Sequence, residues 1–151
     1  MKFAPIVDAD WQYMDAALAC ARQSLSSGGI PVGAVLVRAG SLLGQGCNRS
    51  RQTNDPTSHA EIDCLRSAGL LESYADATLY TTLSPCHMCA GAAVFLGISR
   101  LVIGERQNYA GELELLHARG IEVTVLNHQG CIRLLSEYVS ANPILWSRLT
   151  S

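Results

Sequence analysis

Residues 78–92 read Thr78-Leu79-Tyr80-Thr81-Thr82-Leu83-Ser84-Pro85-Cys86-His87-Met88-Cys89-Ala90-Gly91-Ala92. Thr78–Leu83 is rich in β-branched and aromatic residues and reads as a strand. Pro85 suits the first turn of a helix, where its missing N–H is no loss. Small and apolar residues carry that helix to about Leu96. A strand running directly into a helix is the building unit of an α/β sheet. Cys86 and Cys89 lie three apart on the opening turn, so both face one side of it.

The same pattern repeats outward from this stretch. Trp11, Met14, Leu18, Ala21 and Leu25 recur at helical spacing over residues 10–27 and predict one buried stripe, with Asp8 or Asp10 at the start and Gly28-Gly29 as the stop. Pro31–Val37 and Ser41–Asn48 read as a hairpin around Arg38-Ala39-Gly40. Gly33, Gly44 and Gly46 would weaken ordinary strands and mark bulges or close backbone approach. Arg49–Thr57 reads as a polar loop. Helices are expected over Ser58–Ala68, Glu112–Ala118 and Gln129–Ser140, and strands over Arg100–Gly104 and Glu122–Leu126. After Pro143 the tail to Leu149 has room for one or two more helical turns. The order α-β-β-α-β-α-β-α-β-α predicts a mostly parallel sheet with helices on both faces and an antiparallel hairpin at one end. The crossover through 112–118 makes the last two strands a parallel pair.

Composition narrows the function. The chain has 151 residues, which suits a single domain. It is 48% hydrophobic and 16% charged, so it does not read as disordered. Eleven Lys+Arg against 13 Asp+Glu argue against a long basic nucleic-acid footprint or an anionic membrane partner. No apolar run approaches the ~18 residues of a spanning helix. The N-terminus, broken by Pro5, Asp8 and Asp10, does not read as a signal peptide. The expected location is the cytoplasm, where closely spaced cysteines more often mean metal or catalysis than disulfides.

His59-Ala60-Glu61 opens one predicted helix, and Pro85-Cys86-His87-Met88-Cys89 opens the next. One imidazole and two thiolates make three zinc donors, and three protein donors leave a fourth position for water. Zinc lowers the pKa of such a water to about 7. Glu61, two positions after His59, is placed to move its proton without being a ligand. H-x-E combined with P-C-x-x-C is the zinc deaminase signature. Three plainer readings exist. A lone CxxC can be a redox pair, but that needs no His-x-Glu. A structural zinc site usually adds a fourth Cys or His. His87 is the nearest candidate, and between the two cysteines it should point away from the metal. Ser58 and Glu61 also fit a capping box, which would make Glu61 structural. Cys20, Cys47, Cys64 and Cys131 read as small packing residues, and His117 and His128 as surface or capping residues near helix ends.

These motifs resemble the cytidine deaminase superfamily, and 78–92, Gly97–Glu105 and Gly28-Gly29-Ile30-Pro31-Val32-Gly33 resemble its fungal-type cytosine deaminase branch. Asn54–Ile62 looks more like the tRNA adenosine deaminases. The resemblance implies residues 1–151 as one zinc-dependent deaminase domain. It implies a three-layer α/β/α sandwich with a five-stranded mixed sheet, a homodimer and one Zn2+ per subunit. It also implies site roles. Asn48 would donate to a ring carbonyl, helped by the Ala60 backbone N–H. The Ser84 carbonyl would accept from the departing amine or from the zinc-bound water. Tyr109 would stack on the ring, and Trp146 would cover the pocket from the tail.

One position departs from that branch, which carries an aspartate three residues after the tail tryptophan; here it is Leu149. A buried amine left without its acceptor costs roughly 1–3 kcal/mol. A related amino heterocycle with a different edge pattern, faced by Arg51 or Arg148, is therefore expected beside cytosine. The alternatives are a tRNA adenosine deaminase and a non-catalytic zinc-stabilised interaction domain.

Overall fold

The computed structural model describes residues 2–150. Its elements are α1 (Asp8–Ser26), β1 (Gly33–Arg38), β2 (Ser41–Cys47), α2 (Ser50–Thr53), α3 (Ala60–Ala68), β3 (Thr78–Leu83), α4 (His87–Leu96), β4 (Arg100–Glu105), α5 (Leu113–Ala118), β5 (Glu122–Val125), α6 (Gln129–Ala141) and α7 (Pro143–Leu149). The five strands form one mixed sheet in the order β2-β1-β3-β4-β5. β1 pairs antiparallel with both β2 and β3, while β3–β4 and β4–β5 are parallel. This is the five-stranded mixed sheet that the resemblance implies, whereas the strand–helix rhythm predicted a mostly parallel one: β1 is antiparallel to β3 as well as to its hairpin partner, so only two of the four pairings are parallel.

Strand alternation divides the core in two. Ala34, Leu36, Leu79, Leu101, Ile103 and Val123 point to the face covered by α3, α4 and α5. Val35, Val37, Tyr80 and Val102 point to the face covered by α1, with Cys131 of α6. Cys20, Cys47, Cys64 and Cys131 are all buried, as packing residues should be.

The stripe of α1 is narrower than predicted. Met14, Leu18 and Ala21 are buried, but Trp11 is 43% and Leu25 is 41% exposed. The contact face turns instead on Asp10, Met14, Ala17, Ala21 and Ser24. A Cβ on Gly33 would collide with the backbone of Ala17 and Ala21. A helix that approaches a strand this closely must present small residues, so the bulky Trp11 and Leu25 flank the contact.

A second correction falls in Arg49–Thr57, where the expected loop contains the short helix α2. Asn54 closes it at φ 54°, a left-handed conformation that asparagine tolerates. Gly44 and Gly46 behave as their spacing suggests. A Cβ at either would strike the backbone of α3, at Ala60, Asp63, Cys64 and Ala68. α3 therefore lies directly on β2, and the Cys47 N–H donates to Asp63 Oδ2 (3.0 Å). This contact fixes the N-terminus of α3 at one edge of the sheet, where β2 and β3 also end. Ligands in open α/β sheets bind at such an edge. Among the described residues no helix is long and apolar enough to cross a membrane.

Candidate metal centre and adjoining cavity

His59 is the N-cap of α3 and Cys86 the N-cap of α4, each in extended conformation. Cys89 lies one turn into α4. Two helix N-termini thus converge, and their partial positive charge favours anionic ligands there. His59 Nδ1 lies 3.4 Å from Cys86 Sγ and 3.7 Å from Cys89 Sγ. Tetrahedral zinc, with bonds of about 2.0–2.1 Å to nitrogen and 2.3 Å to sulfur, holds N and S roughly 3.5 Å apart. The donor set therefore fits zinc in both chemistry and spacing, and all three ligand atoms lie within 4.8 Å of one another. His87 points away, with an 82% exposed side chain paired to Glu112 (3.0 Å), so it does not close the fourth position.

The protonation pattern suits a metal. The Cys89 thiol hydrogen-bonds to Cys86 and, with the His59 ring, outweighs burial to hold Cys86 down at about 4. Cys89, as the donor in that pair and buried, is pushed well up. The hydrogen bond to Cys86 raises the His59 ring above its ordinary value. The pair favours an anionic sulfur beside the imidazole, and a cation bound there would take the place of the proton the two thiols share.

Glu61 is 4% exposed. It accepts 2.5 Å from the hydroxyl of Thr81 on β3. Burial raises its carboxyl above the usual range, although the Cys89 thiol and the Thr81 hydroxyl pull it down. The Ser58–Glu61 capping box does not form: α3 begins at Ala60, and no side chain caps it. The Ala60 N–H is among the first of the helix, so no turn of its own satisfies it.

A cavity of about 150 Å3 opens beside this cluster. Asn48, Ala60, Glu61, Ser84, Tyr109 and Trp146 all line it, as do His59 and Cys86. Leu149, Thr150, Pro56 and Ile30 complete an apolar rim. Every residue expected at the site is therefore brought together, and of these Cys89 alone is not on the cavity wall but sits behind it as a buried donor. Neither arginine takes the place proposed from sequence. Arg51 Nη1 donates to the Tyr138 hydroxyl (3.2 Å), and neither Arg51 nor Arg148 lines the cavity.

Two supporting residues were missed. Thr81 is a hydroxyl in an apolar strand, a weak signal. Ser50 donates to Asn48 Oδ1 through both its N–H (3.1 Å) and its Oγ (2.8 Å). That spacing of two is the Asx-turn pattern and was readable.

The sequence pattern of the "cytidine and deoxycytidylate deaminase zinc-binding region" matches residues 7–105. The chain belongs to this deaminase family. It is 40% identical over 141 residues to a cytosine deaminase of Candida albicans, covering 91% of this chain and 94% of that one. It is 46% identical over 102 residues to a tRNA-specific adenosine deaminase of Buchnera aphidicola, covering 66% of this chain and 63% of the relative. A guanine deaminase structure from Nitrosomonas europaea superposes with a TM-score of 0.74 at 26% identity, over 92% of this chain and 87% of that one. This deaminase is thus a zinc-binding hydrolase acting on C–N bonds.

Proposed function

We propose that the chain hydrolyses the exocyclic amine of a small, uncharged amino heterocycle such as a free nucleobase, releasing ammonia. The observation carrying this reading is the cavity itself: ring-sized, beside Glu61 and the His59–Cys86–Cys89 set, and lined by no lysine or arginine among the described residues. A cavity of about this volume accepts a benzene-sized ring. No cationic side chain of Lys or Arg among the described residues stands on its wall to pair with a phosphate.

His59, Cys86 and Cys89 would hold the zinc, which when bound would supply an activated water. Water adds to the ring carbon bearing the amine. Glu61 carries protons to the adjacent ring nitrogen and then to the leaving amine, which departs as ammonia while the carbon becomes a carbonyl. Burial favours the protonated form of Glu61, which suits an acid that must give its proton back. Ser50 ties down Asn48 Oδ1, so the amide turns its Nδ2 donor to the cavity. A ring acceptor is therefore expected there, with the Ala60 N–H beside it. The Ser84 carbonyl receives the leaving amine, and Tyr109 and Trp146 enclose the ring. The same reading implies a homodimer in the cytoplasm.

An ammonia-release screen of zinc-loaded protein over free bases, nucleosides and other amino heterocycles tests this. Turnover of nucleosides or RNA in preference to every free ring would overturn it. The second reading, tRNA adenosine deamination, is favoured by Asn54–Ile62 and by the Buchnera relative. Its mark would be a salt-dependent gel shift with tRNA.

A further inference from the structure

β4 ends on a carboxylate that the mechanism above leaves unused. Glu105 is completely buried and does not line the cavity. Its side chain is spent on the segment that follows it. Oε2 accepts from the N–H groups of Gln107 (2.7 Å) and Asn108 (3.0 Å). Oε1 accepts from Asn108 Nδ2 (2.8 Å). Asn108 extends the strap to α6, donating to Ser136 Oγ (3.1 Å). The next residue is Tyr109, on the cavity wall.

Beyond Tyr109 the loop is tied a second time. Ser84 Oγ donates to the Ala110 carbonyl (2.7 Å), and the Glu112 N–H donates to the Pro85 carbonyl (2.9 Å). Gly111, at φ +72°, lies so close to Ser84 that a Cβ would collide with it. The Ser84 N–H in turn donates to the backbone carbonyl of Glu105 (3.0 Å). Tyr109 is therefore suspended between two anchors, and Glu105 belongs to both. A buried carboxylate is costly unless donors surround it, and an apolar residue would fill the same space more cheaply. What the carboxylate adds is a fixed backbone at 107–108.

We infer that Glu105 is a positioning residue: it sets Tyr109 against the cavity, and through Tyr109 it sets how tightly the ring is held. This rests on the cavity being the substrate site. The test compares wild type, Glu105→Gln, Asn108→Ala, Tyr109→Ala and the Glu105→Gln/Tyr109→Ala double variant, all zinc-loaded. Glu105→Gln keeps the shape but sets an NH2 against one of the donors. Amide exchange over 106–110 is expected to rise about tenfold, with β3 and α4 unchanged and zinc retained. KM on the best ring from the screen should rise several-fold, with kcat within about threefold. Asn108→Ala removes the side-chain donor to Glu105 together with the ties to Ser136 and Ile132 of α6 but keeps both backbone donors to Oε2, and it should move both readouts in the same direction as Glu105→Gln. In the Tyr109→Ala background Glu105→Gln should change KM by less than about twofold. Unchanged exchange over 106–110, or effects of Glu105→Gln and Tyr109→Ala that multiply, would overturn the inference. If wild type turns over no ring, the substrate reading fails, and the exchange measurement still decides whether Glu105 holds the loop. If Glu105→Gln does not fold, Asn108→Ala carries both readouts and decides in its place.

Discussion

Two buried carboxylates face opposite fates in this molecule. Asp10, in the first turn of α1, is completely buried and has four donors. Tyr80 Oη and Arg100 Nη1 reach Oδ1, and the Val7 N–H and Arg100 Nη2 reach Oδ2, all at 2.8–2.9 Å. Neither it nor its partners line the cavity. Glu61, across the sheet, is nearly as buried but takes a hydrogen bond from the Thr81 hydroxyl alone among the described residues, and it faces the cavity. Their carboxyls shift in opposite directions. Burial alone would raise Asp10, but donation from Arg100, Val7 and Tyr80 outweighs it and holds the carboxyl below its ordinary value. Burial dominates at Glu61 and raises it. A carboxylate whose lone pairs are all spoken for is structural. One with capacity left over beside a cavity is available for chemistry.

The contrast can be broken in order of effect. Replacing a metal donor, as in Cys89→Ser, should abolish turnover and lower zinc content, read by metal analysis and ammonia release. Glu61→Gln should cut kcat by about a thousandfold, within the range for a lost acid–base group, with zinc and thermal stability kept. Retained turnover would remove Glu61 from its role. Asp10→Asn should do the reverse. It strands the half-buried Arg100 and should cost about 3 kcal/mol in denaturant unfolding, while activity per folded molecule stays unchanged.

The Asp10 effect has a definite pH sense. Its folded value lies below the ordinary 3.8, so the stability it contributes is full well above 3.8 and fades as pH falls through the lower folded value. Unfolding curves of wild type and Asp10→Asn should therefore converge toward acid. The smallest effect is expected from Ser50→Ala. It removes the hydroxyl donor to Asn48 Oδ1 and keeps the backbone one, and it should raise KM about fivefold, corresponding to roughly 1 kcal/mol for one hydrogen bond, with little change in kcat.

What sequence reading captured here was local. The His-x-Glu and Cys-x-x-Cys spacings placed the donors, and the strand–helix rhythm placed the sheet. Gly44 and Gly46 announced the close approach of α3. What escaped was non-local. The rotation of α1 depends on its contact with Gly33, so Trp11 and Leu25 misled. The Thr81–Glu61 bond joins residues 20 apart in sequence. Arg51 found Tyr138 of α6 rather than the cavity. No periodicity encodes such pairings.

The last helix carries a consequence for how this protein can change. α7 has no fully buried residue, yet Trp146 and Leu149 form part of the cavity wall together with Thr150 just beyond it. The family pattern, with the metal donors and Glu61 inside it, ends at residue 105. Substitutions at positions outside the core commonly move stability by no more than about 0.5 kcal/mol. Trp146 also packs against the core, so 149 and 150 are the positions where the wall can change at least cost to the fold. On the proposed reading, ring preference can drift there while the metal donors stay in place, and a library at these two codons tests it.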